Sequence, residues 1–185
     1  MIQVIYGLIL FIFLMLPPVV KLLESIMIIH MHMQMPLLVI AGFLMAPFFQ
    51  KMFPTLFRKW NANGLAGILL FLIIMLYWTM PRAMDEALTI PAMEVFKFMS
   101  LPFFAGVPLR DSWKKLGKIG KNAVFVVFLI VFVAMGVLYI ASPVQLCNNY
   151  LRTEQITLGW GYLAMSAAIL IYLIQLIVIE PSKYE

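Results

Sequence analysis

The residues best equipped for chemistry in this chain lie in one heptapeptide, His30-Met31-His32-Met33-Gln34-Met35-Pro36. Two imidazoles, three thioethers and a carboxamide precede a proline, a residue that disturbs helices. Imidazole and thioether are the donors that select copper, Cu(I) above all. An ionisable side chain inside a bilayer is costly and points first to function. Met27, Met31, Met33, Met35 and Met45, five of the 15 methionines, share the same apolar stretch.

Helical geometry limits which of these side chains can cooperate. At about 100° per residue, Glu24, Met27, Met31, Gln34 and Met35 occupy one arc, with His30 at its edge. His32 lies about 160° away on the same wheel, so an undistorted helix cannot aim both imidazoles at one ion. Pro36 removes the hydrogen bond to the carbonyl of His32, which allows a bend there. The expected copper ligands are His30 with one or more of Met27, Met31 and Met35, and His32 and Gln34 are further candidate donors. The plainer reading of the methionines is a pliable core filling. His30 resists that reading, because an imidazole in lipid needs a ligand, a carboxylate or a polar neighbour. Haem is the other use of intramembrane histidines. Two histidines on one span do not make a bis-histidine haem site within a single copy, which leaves a haem shared with another subunit.

These residues must be positioned by membrane spans. The chain has 185 residues, 64% of them hydrophobic and only 11% charged, against about 25% charged in soluble domains. Runs approaching the roughly 20 apolar residues that cross a bilayer predict six spans, at 2–19, 25–47, 64–80, 93–109, 122–141 and 159–179. The expected fold is all-α, a polytopic transmembrane helix bundle in a single domain, 1–185. The N-terminus lacks the features of a cleaved signal. Cys147 is the single cysteine, so an intrachain disulfide and a multi-cysteine zinc site are excluded.

Loop charges give an orientation. Lys51, Arg58 and Lys59, and then Arg110, Lys114, Lys115, Lys118 and Lys121, predict cytoplasmic loops at 48–63 and 110–121. The other loops carry only Lys21, Arg82 and Arg152. Both termini are then cytoplasmic, and Glu24, Asp85, Glu86, Glu94 and Glu154 fall at the outer side. The net charge of +5 thus reads as topology and contact with anionic lipid, with no nucleic-acid partner. Lys97 is expected to snorkel to the outer interface.

Outer-side groups complete the candidate site. Asp85, in Pro81-Arg82-Ala83-Met84-Asp85-Glu86, either caps an interfacial turn or closes over the site. Glu154 and Gln155 precede the glycine-flanked start of the last span at Gly159-Trp160-Gly161 and can face the bundle. Cys147 is soft enough for copper, though a lone thiol is more often inert. No nucleophile elbow, phosphate loop or zinc-protease signature is present, so no catalysis is expected.

Taken together, three pieces resemble the CtaG family of cytochrome c oxidase assembly factors. They are His30-Met31 with Gln34 and Pro36 on an early span, Arg82 with Asp85, and Tyr150…Glu154-Gln155…Leu158-Gly159, where Glu154 takes the place of the family's Asp. The resemblance covers roughly residues 24–165. It implies a multi-pass protein of the bacterial inner membrane that binds copper and assists assembly or copper loading of a respiratory haem–copper oxidase. Its partners would be subunits of that or another copper membrane enzyme. Two other functions stay open: a small structural subunit of a larger membrane metalloenzyme without its own metal, and a redox subunit binding haem or quinone.

Overall fold

Prolines set the punctuation of this chain. Pro17, Pro54, Pro81 and Pro91 each stand at the first position of a helix, where the missing N–H has no intrahelical partner to lose and φ is preset. The computed structural model describes residues 2–178. Residue 179 of the sixth expected span, and the C-terminus assigned to the cytoplasm, lie outside the described residues. The helices in order are α1 (Ile2–Met15), α2 (Pro17–Glu24), α3 (Met27–Met52), α4 (Pro54–Trp60), α5 (Leu65–Thr79), α6 (Pro81–Thr89), α7 (Pro91–Trp113), α8 (Lys118–Ala141) and α9 (Arg152–Val178). No strand occurs among the described residues.

Helices α3, α7, α8 and α9 are each long and apolar enough to cross a membrane. The pairs α1–α2 and α4–α5 are long and apolar enough only when taken together, across bends of 72° and 89°, and bring the number from four to six if each pair is one span. The fold is therefore the expected all-α, multi-pass bundle. The chain breaks between α1 and α2 at Leu16, whose ψ of 128° is the extended geometry forced on a residue before proline.

Two helices contain π-helical turns, at His30–Gln34 in α3 and Ser100–Gly106 in α7. The Met35 N–H donates to the His30 carbonyl, and the Val107 N–H to that of Pro102, each five residues back. Pro36 and Pro102 lie beside or within these turns, and neither can supply the ordinary four-residue bond. The two distorted helices also cross at contact distance. A Cβ on Gly42 would sit 1.9 Å from the Pro102 carbonyl oxygen, and one on Gly106 would sit 2.2 Å from that of Val39. Only glycine permits this backbone-to-backbone approach. Between α5 and α7, the Trp78 indole N–H donates to Ser100 Oγ at 2.8 Å.

The bundle has an acidic end and a basic end. Glu24, Asp85, Glu94 and Glu154 gather at the first. At the second, buried Asn61 donates to Asp111 Oδ2 at 2.6 Å and to Ser112 Oγ at 3.0 Å, and accepts from the Gly67 N–H at 2.9 Å. Lys115 pairs with Asp111 at 2.6 Å, and Gln50 donates to the same carboxylate at 2.9 Å. The basic loops are thus held together by one buried amide and one acid.

Candidate functional site

The polar centre of the molecule is built where α2, α3, α7 and the 142–151 loop meet at the acidic end. The chain leaves helical geometry at Ile26, whose φ of −128° and ψ of 125° are extended, so Glu24 is not on the same helix as His30. This corrects the single-helix arc drawn from Glu24 to Met35. Glu24 still arrives at the site, because the break turns α2 back over the start of α3. Its carboxylate pairs with the ammonium of Lys97 and accepts from Gln34 Nε2 at 3.4 Å.

Lys97 is completely buried and does not snorkel. It sits on the inward side of α7, with Glu24 on one side and the His30 imidazole on the other, 3.4 Å from Nε2. A buried ammonium is tolerated only with a paired, hydrogen-bonded partner, and Glu24 supplies it. The neighbouring bonds fix the histidine tautomer. The Tyr150 hydroxyl donates to the Glu24 carbonyl at 2.7 Å, so its oxygen is left to accept from His30 Nδ1–H at 3.0 Å. Nε2 then offers its lone pair to Lys97. Burial, with Glu24 and Glu154 adding, pushes the Tyr150 hydroxyl well above the usual phenol range, so it keeps the proton it donates.

Glu154 does something different. Its Oε1 accepts from the Met27 N–H at 3.3 Å and its Oε2 from the Leu151 N–H at 3.0 Å. One carboxylate thus satisfies an N–H at the start of α3 that has no intrahelical partner and reaches back to the residue before α9, the reciprocal half of a capping box. Gln155 accepts from the Leu146 N–H at 2.8 Å and donates to the Tyr139 carbonyl at 3.0 Å, which ties the loop to α8. Asp85 accepts from the Asn149 N–H at 3.1 Å and side chain at 2.7 Å, and from Asn148 at 3.2 Å. It lies in the second turn of α6 and clasps the loop, while Arg82 pairs with Glu86 at 2.7 Å. Cys147 is buried, with its Sγ 3.6 Å from the Pro81 carbonyl.

The candidate residues therefore separate into three groups. Glu24, His30 and Gln34 converge, joined by Lys97 and Tyr150. Asp85, Glu154 and Gln155 are engaged with backbone and loop amides. Met31, His32 and Met35 line a separate apolar cavity on another side of α3, and Met27 is buried. Among the described residues no three His, Cys, Asp or Glu side chains gather as a metal-holding group. At His30 one ring nitrogen faces Tyr150 and the other faces the Lys97 ammonium, which opposes a cation there.

Lys97 and Tyr150 belong to the network but not to the candidate donors read from the sequence. The signal for Lys97 is a charge inside an apolar span with an opposite charge, Glu24, at the same end of the bundle. Tyr150 belongs to a loop, and nothing in its spacing marks it.

The fold and site together define an all-α multi-pass membrane protein with a buried ion-pair network near one end. Neither family models, curated proteins nor solved structures match this chain.

Proposed function

We propose that this chain is a non-catalytic accessory protein of a larger membrane metalloenzyme complex, acting as a structural or assembly subunit and holding no metal at His30. The observation that carries this reading is that both His30 ring nitrogens have protein partners, Tyr150 and Lys97. A metal ligand would need one of them free, and a neighbouring ammonium repels a cation. The metalloenzyme client comes from the resemblance to oxidase assembly factors. The lysine and arginine bias of the loops supports an outward-facing acidic end and cytoplasmic basic loops, and the bacterial inner membrane comes from the same resemblance.

Copper handling is the second reading. Besides the resemblance, it is favoured by the burial of three thioethers, Met27, Met31 and Met35, within the bundle. These soft donors suit Cu(I) without His30. Mild-detergent purification of the tagged full-length chain tests the first reading. The expected result is stable, stoichiometric recovery of other membrane-enzyme subunits. A chain that runs alone and binds Cu(I) through its methionines favours the second.

A further inference from the structure

A cavity of about 310 Å³ lies between α3, α5, α8 and α9, away from the His30 network. This lies at the lower end of the range for small-molecule sites, roughly 300 to 1,000 Å³. Its walls are aromatic on two sides, with Phe71 and Trp78 from α5 and Phe128 and Phe132 from α8, and the lining is almost wholly apolar. Ile40 and Met165 line its open side and are themselves exposed, at 46% and 37%. On a multi-pass bundle that side faces lipid.

One polar atom of a residue in this lining is unaccounted for. His32 Nε2 is buried and has no hydrogen-bond partner. The His32 ring is held in place by Tyr162, edge to face at 4.7 Å, and by Gly161, where an added Cβ would lie 2.8 Å from the imidazole Cε1. An unsatisfied N–H or lone pair in hydrocarbon is costly. A phospholipid acyl chain would fill the volume and leave the nitrogen unpaired. Cu(I) would find thioethers there, but Met31 Sδ already stands 3.9 Å from the Tyr162 hydroxyl, and a cation has no aqueous route through a lipid-facing mouth.

We propose that this cavity binds the head of a lipid-soluble quinone, with the carbonyl accepting a hydrogen bond from His32 in its Nε2–H form. A flat, apolar ring suits the aromatic walls, one carbonyl satisfies the one orphan nitrogen, and an isoprenoid tail leaves past Ile40 and Met165 into the bilayer. The proposal concerns binding alone and stands independently of the His30 network.

The test is titration of the purified full-length chain in lipid nanodiscs with decyl-ubiquinone, read by quenching of tryptophan fluorescence. Saturable quenching is expected, and it should diminish in Trp78→Phe, since Trp78 lines the cavity. His32→Leu should bind about tenfold more weakly, having lost one hydrogen bond to a buried group. His32→Gln, which keeps an N–H donor, should retain most of the affinity. Ile40→Trp narrows the mouth with His32 intact and should weaken binding as well, which covers the case of a poorly folded His32 variant. Quenching that does not saturate, or equal affinity in wild type, His32→Leu and Ile40→Trp, overturns the proposal. So does stoichiometric Cu(I) binding that depends on His32 in a chain that takes no quinone.

Discussion

Lys97 is the residue on which the acidic end depends. Its ammonium is fully buried and its partner Glu24 is 13% exposed at the side chain, so the pair lies far from the screened, exposed class of ion pair. Removing one member of a buried pair strands the other, at a cost of about 3–5 kcal/mol. Lys97→Met should therefore lower the unfolding free energy in detergent by about that amount. The double variant Lys97→Met/Glu24→Gln should recover at least half of the loss, because no uncompensated charge remains. Equal stability of the two variants would show that the pair contributes nothing as a pair. Cys147 offers a second check at this scale. Burial, with the Asp85 carboxylate adding, pushes its thiol up to about 12. The thiolate is the reactive form, so alkylation of the folded protein at pH 8 should run at least about a hundredfold slower than that of an unfolded control. Because the folded state holds this proton more tightly than the unfolded state, its contribution to stability is complete below pH 9.0 and is lost as pH rises towards about 12.

At the scale of elements, the site is made by two distorted helices held in close contact. The π-turns of α3 and α7 carry His30 and follow Lys97, and the Gly42–Pro102 and Gly106–Val39 approaches bring those helices together. Gly42→Ala should destabilise the bundle by about 1–3 kcal/mol as an overpacking change. The clash is with backbone, which cannot rotate away. Thermal unfolding in detergent checks this, and an unchanged midpoint would mean that α3 and α7 can separate without loss. Much of this scale was legible in the sequence. Proline positions and apolar runs gave the elements, and the wheel separated His30 from His32, which do face different surroundings. The break at Ser25–Ile26 was not legible. Neither residue is a breaker, and the extended turn arises because Glu24, Tyr150 and Glu154 bind the backbone and side chains around it.

The whole molecule is organised by its two polar ends, with apolar packing between them. The acidic end is closed by Glu24–Lys97–His30–Tyr150 and by the loop clasps of Asp85, Glu154 and Gln155. The basic end is closed by Asn61 and Asp111. Loop charge puts Glu24, Asp85 and Glu154 at one end, where the expectation is that they stand around a copper site made by His30 and the methionines. What the sequence could not supply was the pairing, since Glu24 and Lys97 are 73 positions apart and His30 and Tyr150 are 120 apart. Contacts of that range depend on how spans pack, which loop charges and periodicity leave open. Glu24, His30 and Gln34, each a metal donor by type, are joined in the folded chain to one another and to Lys97 and Tyr150. Copper content measured after Cu(I) exposure and desalting, in wild type beside His30→Ala, tests this most directly. The same copper per chain is expected in both. One copper per chain in wild type that is lost in a folded His30→Ala protein would contradict it.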